Sequence, residues 1–426
     1  MQTAGDPLKM RPLMRTFRLS LVLLALAAFS LRAETPSLAG FFHQQGSGTS
    51  MMPAGAPMEM RMFSAGSWHM MVHGVAFGVD MQQSGPRGGD EQFSTNWVMA
   101  SATKPMWGGA VMLRTMLSAE PATIRDQRYP LLFQTGETAN GRAIIDGQHP
   151  HDFFMELAVE YARPIGGGIG YVYLAPHGDA ALGPVAFPHR PSAAEIPQAV
   201  LSHHNQDSTH IASTVVTTGY RRGPLALEVS GFHGAEPDEA RWNIDLGPID
   251  SWSTRLSWAP TQNLVAQVSY GELKKPEALE PGDVARTTAS IAYEQPFSRG
   301  HLSTSLVYGI NHKKWYDQHL DSYLGEALLH LGERHWISTR MERVEKDELF
   351  PHTHSPIRPV VPPVIPTFRI DSLLVGYTFD FWLRPPVRIG IGANWTTHST
   401  PEALDPFYDE DPQGRALFVR LRLIGG

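Results

Sequence analysis

Residues 148–161 read QHPHDFFMELAVEY. The stretch opens on His149, His151 and Asp152 and then alternates. Phe153, Met155, Leu157, Val159 and Tyr161 fall on one side; Phe154, Glu156, Ala158 and Glu160 fall on the other. A side-chain period of two is that of a β-strand. The odd face has no charge and the even face carries two carboxylates.

The pattern recurs along the chain. It predicts strands over 67–80, 94–104, 107–118, 152–163, 168–176, 209–221, 224–234, 250–260, 262–272, 284–295, 300–310, 320–332, 334–345, 368–382, 386–396 and 414–424. Tight turns built from Gly, Pro and Asn join every second pair, as in RPIGGG and APTQN. The other connections are longer: 81–93, 119–151, 177–208, 235–249, 273–283, 311–319, 346–367 and 397–413. Short turns alternating with long loops are the asymmetry of a transmembrane β-barrel, short on the periplasmic side and long outside. Aromatics near strand ends, such as Tyr161, Trp258 and Trp395, suit its interfacial girdles. A soluble propeller would show a blade-like repeat, and none is visible. The expected fold is all-β: an antiparallel transmembrane β-barrel of about sixteen strands, its odd residues from Phe153 to Tyr161 toward lipid.

The chain has 426 residues, a net charge of -7 and no cysteine. Absence of cysteine excludes a disulfide scaffold, thiolate zinc sites and thiol catalysis. Mean hydropathy is slightly negative, as alternating strands average out. Residues 1–33 read as a secretory signal: Arg15 and Arg18 precede the apolar run 19–31, with cleavage after Ala33. Residues 34–66 hold Met51, Met52, Met58, Met60 and Met62 among Gly, Pro and Ser. They read as a flexible Met-rich periplasmic arm with too little apolar bulk to fold alone. Residues 67–426 form the expected barrel.

On these features the chain resembles the outer-membrane β-barrel class of Gram-negative envelopes. The phrases QHPHDFF, SGFHGAEPDE and RWNIDLGPIDSWS also resemble those of a group of bacterial outer-membrane proteins. The likeness implies location and a porin-like fold, and supplies no substrate.

Alternation assigns to the lumen Arg114, Glu156, Glu160, Glu228, Arg255, Arg286, Glu294, Glu326, His330, Arg340, Glu342, Arg388, Arg420 and Arg422. A lining of both signs implies salt bridges bracing a wet or partly filled lumen, whereas a single sign would imply ion selectivity. The last strands are Arg-rich and earlier ones hold more carboxylates, so a transverse field is a further expectation.

Two residue sets suggest metal. The long loops concentrate His149, His151, Asp152, His203, His204, Asp207, His210 and His233, a ligand set for zinc, copper or nickel. The alternative is a polar rim bonded to loops and headgroups. Met58, Met60 and Met62 precede His69, Met71 and His73, which share one strand face. Thioethers suit Cu(I) and imidazole suits Cu(II). The arm-then-barrel layout weakly resembles that of outer-membrane copper-resistance B proteins; the alternative is Met as flexible apolar filler. Ser202, His203, Asp207 and Ser208 offer hydrolase residue types, but no strand–turn context fixes a nucleophile beside a base. No catalytic residue or cofactor is assigned beyond copper or zinc.

The leading functional expectation is a non-enzymatic channel passing small solutes or metal ions across the outer membrane. The alternatives are a copper-binding or resistance protein and a rim-sited lipid or peptide hydrolase. Partners on this reading are outer-membrane lipid, the passing solute or ion and a periplasmic efflux partner. No nucleic-acid patch or phosphate loop appears.

Overall fold

The computed structural model describes residues 35–280, 282–315, 317–350 and 366–425. The expected signal, 1–33, lies outside them. The strands are β1 (Arg61–Ala65), β2 (Trp68–Gln83), β3 (Asp90–Met106), β4 (Gly109–Leu117), β5 (Tyr129–Ala139), β6 (Arg142–Gln148), β7 (Phe154–Ile165), β8 (Gly168–Gly178), β9 (Ala212–Arg222) and β10 (Leu225–His233). They continue with β11 (Ser251–Thr261), β12 (Leu264–Leu273), β13 (Val284–Phe297), β14 (Gly300–Lys313), β15 (Gln318–Leu331), β16 (His335–Lys346), β17 (Phe368–Arg384), β18 (Val387–Ser399) and β19 (Gln413–Leu423).

Sixteen of these, β2–β4 and β7–β19, form one closed antiparallel barrel. Each pairs with the next; β4 reaches β7 across the inserted β5–β6 hairpin. The barrel closes where β19 meets β2, from Gly414 opposite Gln83 to Arg422 opposite Val75. β1 is a short flap folded back on the start of β2. Closure leaves no free edge, which a strand must achieve to cross hydrocarbon.

The outer face carries Leu227, Leu256, Val268, Ile291, Leu306, Ile391 and Leu417, all exposed. A surface so apolar is stable only against lipid, and the protein is an outer-membrane barrel. Among the described residues no helix is long and apolar enough to cross a membrane.

One expectation about the opening stretch is corrected. The β4–β7 register passes from Met116 opposite Glu156 to Leu117 opposite Phe154. Met155 is therefore the extra residue of a β-bulge and turns inward, against Met99, Met116 and Ile211. Val159 remains outward.

The inward charges form a bonded lattice. Glu228 stands opposite Arg255, and Glu326 opposite Arg340, with carboxylate–guanidinium distances of 2.8 and 2.9 Å. Arg114 grips Glu156 through two nitrogens, at 2.9 and 2.8 Å. Ser303 donates to Glu294 at 2.6 Å, and Arg286 donates to Asn311 and Ser208 at 2.9 Å each.

Three segments fill the lumen: the arm, the β5–β6 hairpin and the loop 179–211. The arm, expected to be flexible, is instead held in place. Its helix Leu38–His43 buries Phe41 and Phe42, Phe41 lying 4.8 Å from the Tyr171 ring. Beyond it Gln45 donates to Glu160 (2.9 Å), Ser47 to Asp179 (2.7 Å), Arg114 to the Gly48 carbonyl (2.6 Å) and Arg255 to Thr49 (3.0 Å). A polar segment has little reason to fold alone, but a charged lumen supplies the partners it lacks.

The Arg-rich side of the wall is likewise met from within. Glu195 of the loop pairs with Arg420 and lies 2.9 Å from Arg422; Glu59 of the arm lies 2.8 Å from Arg388. The expected transverse field is therefore compensated at those residues by the inserted segments.

Candidate metal centre

The loop between β8 and β9 descends into the lumen and is anchored by Asp207. One Asp207 oxygen accepts from Arg190 (2.7 Å) and the Phe187 amide (3.0 Å); the other faces His203 Nδ1 at 2.7 Å. Arg190 also donates through Nε to Glu326 of the wall at 2.9 Å. Arg340 holds the second oxygen of that carboxylate, and Ser202 donates to Glu342 at 2.9 Å. The loop is thus fastened to β15 and β16 by buried, charge-assisted bonds, which are stronger than neutral ones.

This anchoring orients a group of histidines. His149 Nδ1 lies 3.0 Å from the Pro150 carbonyl, and His210 Nδ1 lies 2.9 Å from the Asp207 carbonyl. His204 Nδ1 lies 3.2 Å from Glu236, and His151 Nδ1 lies 2.9 Å from Glu120. Carbonyls and ionised carboxylates only accept, so each Nδ1 carries the proton and donates. In a neutral ring that leaves Nε2 with its lone pair, the arrangement of a metal-ligating histidine held by an outer partner.

The donor atoms converge. His149, His203 and His204 each place a ring nitrogen within 4.8 Å of the others, and His204, Glu236 and Glu277 form a second such set. Nε2 of His149, His204 and His210 are buried without a hydrogen-bond partner, as is one Glu236 oxygen. His149 Nε2 lies 3.1 Å from Glu137 but is not aligned for a hydrogen bond. An imidazole nitrogen and a carboxylate oxygen at that spacing fit neighbouring ligands of one ion.

A glycine makes the closure possible. Gly136 of β5 has φ +109, and a Cβ there would lie 2.5 Å from the His204 ring. The hairpin can therefore lie flat on His204 while Glu137 reaches the site. Arg241 locks the hairpin from outside, pairing with Glu137 and lying 3.1 Å from Asp152.

The electrostatics prepare most of the rings. Burial holds His149 and His210 well below the usual imidazole value, and neighbouring positive charge adds to this. Burial lowers His203 as well, against the pull of Asp207. His204 differs: burial would lower it, but Glu236, Glu277 and Glu137 raise it to about 9. Burial pushes Glu137 up to about 7 and Glu277 up to about 8. Of the three converging rings, His149 and His203 are thus held neutral, and His204 shares with Glu236 a proton that an arriving metal ion displaces.

The structure brings together His149, His151, His203, His204 and His210 of the sequence-derived set. Asp152 and Asp207 act beside them, bound to Arg241 and Arg190. His233 stands apart, 3.1 Å from Asp250. Ser202 and Ser208 are bonded to Glu342 and Arg286, so neither is shown paired with His203 as a nucleophile would be. Glu120, Glu137, Glu277 and Gly136 were not legible as site residues. Glu120, Gly136 and Glu137 share the 119–151 connection with His149 and His151, and Glu277 lies in 273–283; their spacing fits no motif, and only the fold gathers them.

The methionine set lies at the short-turn end. A cavity of about 650 Å³ there is lined by Met58, Met62, His69, Met71 and His73; Met60 is buried outside that lining.

With this geometry in hand, the comparisons concern architecture. An anion-selective porin from Comamonas acidovorans superposes with a TM-score of 0.51 at 10% identity, over 83% of this chain and 100% of that one. OmpF of Salmonella typhi, solved in complex with daunomycin, gives 0.50 at 7% identity, over 85% of this chain and 100% of that one. The chain has the porin fold. No family model and no curated protein sequence matches it, so the phrase-level and copper-resistance likenesses gain no support. At these identities the porin likeness is one of fold, and the buried imidazoles must be read on their own chemistry.

Proposed function

We propose that this porin-like outer-membrane barrel binds a divalent first-row metal ion, zinc or copper, at His149, His203 and His204 and passes it through the lumen. The observation that carries this reading is the convergence of ring nitrogens of His149, His203 and His204, with the buried Nε2 atoms of His149 and His204 left unpartnered on rings fixed through Nδ1. Imidazole with carboxylate is the ligand chemistry of borderline ions, and an outer partner on each ring is what such sites use. A lumen occupied by three bonded segments supports small ions over larger solutes as cargo.

The test is equilibrium Zn²⁺ and Cu²⁺ binding to the purified protein, with flux into liposomes. The reading expects tight binding that His149→Ala/His203→Ala abolishes, with flux lost in parallel. Equal binding and flux by both proteins would reject it.

A further inference from the structure

The wall between the short-turn cavity and the imidazole centre carries a second donor set. His73 Nε2 lies 3.2 Å from the Met99 sulfur, and His189 Nε2 lies 3.0 Å from the Met116 sulfur. Trp97 separates the pairs, its ring 5.1 Å from His73 and 4.7 Å from His189. The two imidazoles are 6.5 Å apart, centroid to centroid. Met155, turned inward by the bulge, packs with Met99 and Met116.

We propose that the two His–Met pairs about Trp97 form a binding site for a soft monovalent cation, Cu(I) or its surrogate Ag(I). Imidazole nitrogen bonds a metal at ~2.0 Å and sulfur at ~2.3 Å, so adjacent tetrahedral ligands stand ~3.5 Å apart. Both pairs approach that spacing. A thioether is a poor hydrogen-bond acceptor and a good ligand for a soft ion. The Trp97 face adds attraction for a cation. Arg114, Arg190 and Arg422 line the same cavity beside Glu59, and Arg114 is paired with Glu156, so the preference for a soft monovalent ion rests on the thioethers.

The site is reachable and leads onward. His73, Met99 and His189 all line the short-turn cavity. On the other side Met155 packs against Ile211, next in sequence to His210, and His210 lies 5.4 Å from His151 and 5.1 Å from His203. As a step on a route the site rests on the proposed metal passage; as a binding site it stands by itself.

The experiment is Ag(I) binding to the full-length protein in detergent, followed by equilibrium dialysis and tryptophan emission. Met99→Leu/Met116→Leu keeps the side-chain volume and removes both sulfurs. The expected result is loss of at least one bound Ag(I) and of the emission change, with Zn²⁺ binding unchanged. Trp97→Phe should lose the emission change and keep the ion, while His149→Ala/His203→Ala should lose Zn²⁺ and keep Ag(I). A double Leu variant that binds as much Ag(I) with the same emission change overturns the site. If the double variant does not fold, Met99→Leu alone decides: wild-type Ag(I) affinity and emission overturn the site, and weakened binding supports it. A wild type that ignores Zn²⁺ yet passes the Ag(I) test rejects the proposed divalent centre and leaves this site standing.

Discussion

Nδ1 of His203 stands 2.7 Å from Oδ1 of Asp207, while the other Asp207 oxygen holds Arg190. One carboxylate thus both orients a ligand ring and pins its loop to the wall. Asp207→Asn keeps the shape, removes the charge and frees the ring. Loss of such an outer partner typically costs ~10–100-fold in metal affinity. Titration calorimetry with Zn²⁺ should show a loss of that order while the barrel circular dichroism is unchanged; wild-type affinity would assign Asp207 a purely packing role.

Gly136 offers a test that touches no ligand. A Cβ would collide with His204, and the positive φ adds ~1–3 kcal/mol of backbone strain. Gly136→Ala should therefore weaken Zn²⁺ binding by displacing the hairpin, with the melting of the barrel little altered. Unchanged Zn²⁺ affinity would show that the hairpin does not close the site.

Arg190 lies between Asp207 and Glu326, both buried. Arg190→Ala leaves two carboxylates facing each other without their shared cation, which costs ~3–5 kcal/mol when a buried pair is broken. Hydrogen exchange should rise across 179–211 and far less in the strands. Uniform protection would mean that the loop is held elsewhere.

Acid should release the same loop through Glu195. Burial would raise this carboxyl, but Arg420 and Arg422 outweigh it and hold it below its ordinary value. A depressed folded pKa gives stability that is full above the unfolded value, ~4.3, and is lost as pH falls through the folded one. Pepsin cleavage within 179–211 should therefore appear only below about pH 4. Glu195→Gln should be cleaved at higher pH and lose that step. A wild-type profile in the variant would contradict the assignment.

What could be read from the chain divides along physical lines. Strands such as β7 and β18 announce themselves by alternation, because one face meets lipid and the other meets charge. Arg255 and Glu228 fell inward on parity alone, and the two His-bearing loops were legible as a shared candidate. The inserted hairpin β5–β6 was not, since both its faces lie in protein and leave no two-faced pattern. Gln45 and Ser47 gave no sign of folding because their partners, Glu160 and Asp179, lie far along the chain. Met155 was misplaced because a bulge resets parity locally. Met99 and Met116 were missed for a related reason: only strand pairing and loop insertion bring them beside His73 and His189.

The central claim is that an ion sits among His149, His203 and His204. The most direct measurement is anomalous diffraction from crystals grown with Zn²⁺. The account predicts a peak ~2.0–2.1 Å from a ring nitrogen of each of the three, the distance of a zinc–imidazole bond. The exposed group His312, Asp317 and His319 serves as an internal comparison. A peak there alone, with none at the buried imidazoles, would contradict the account.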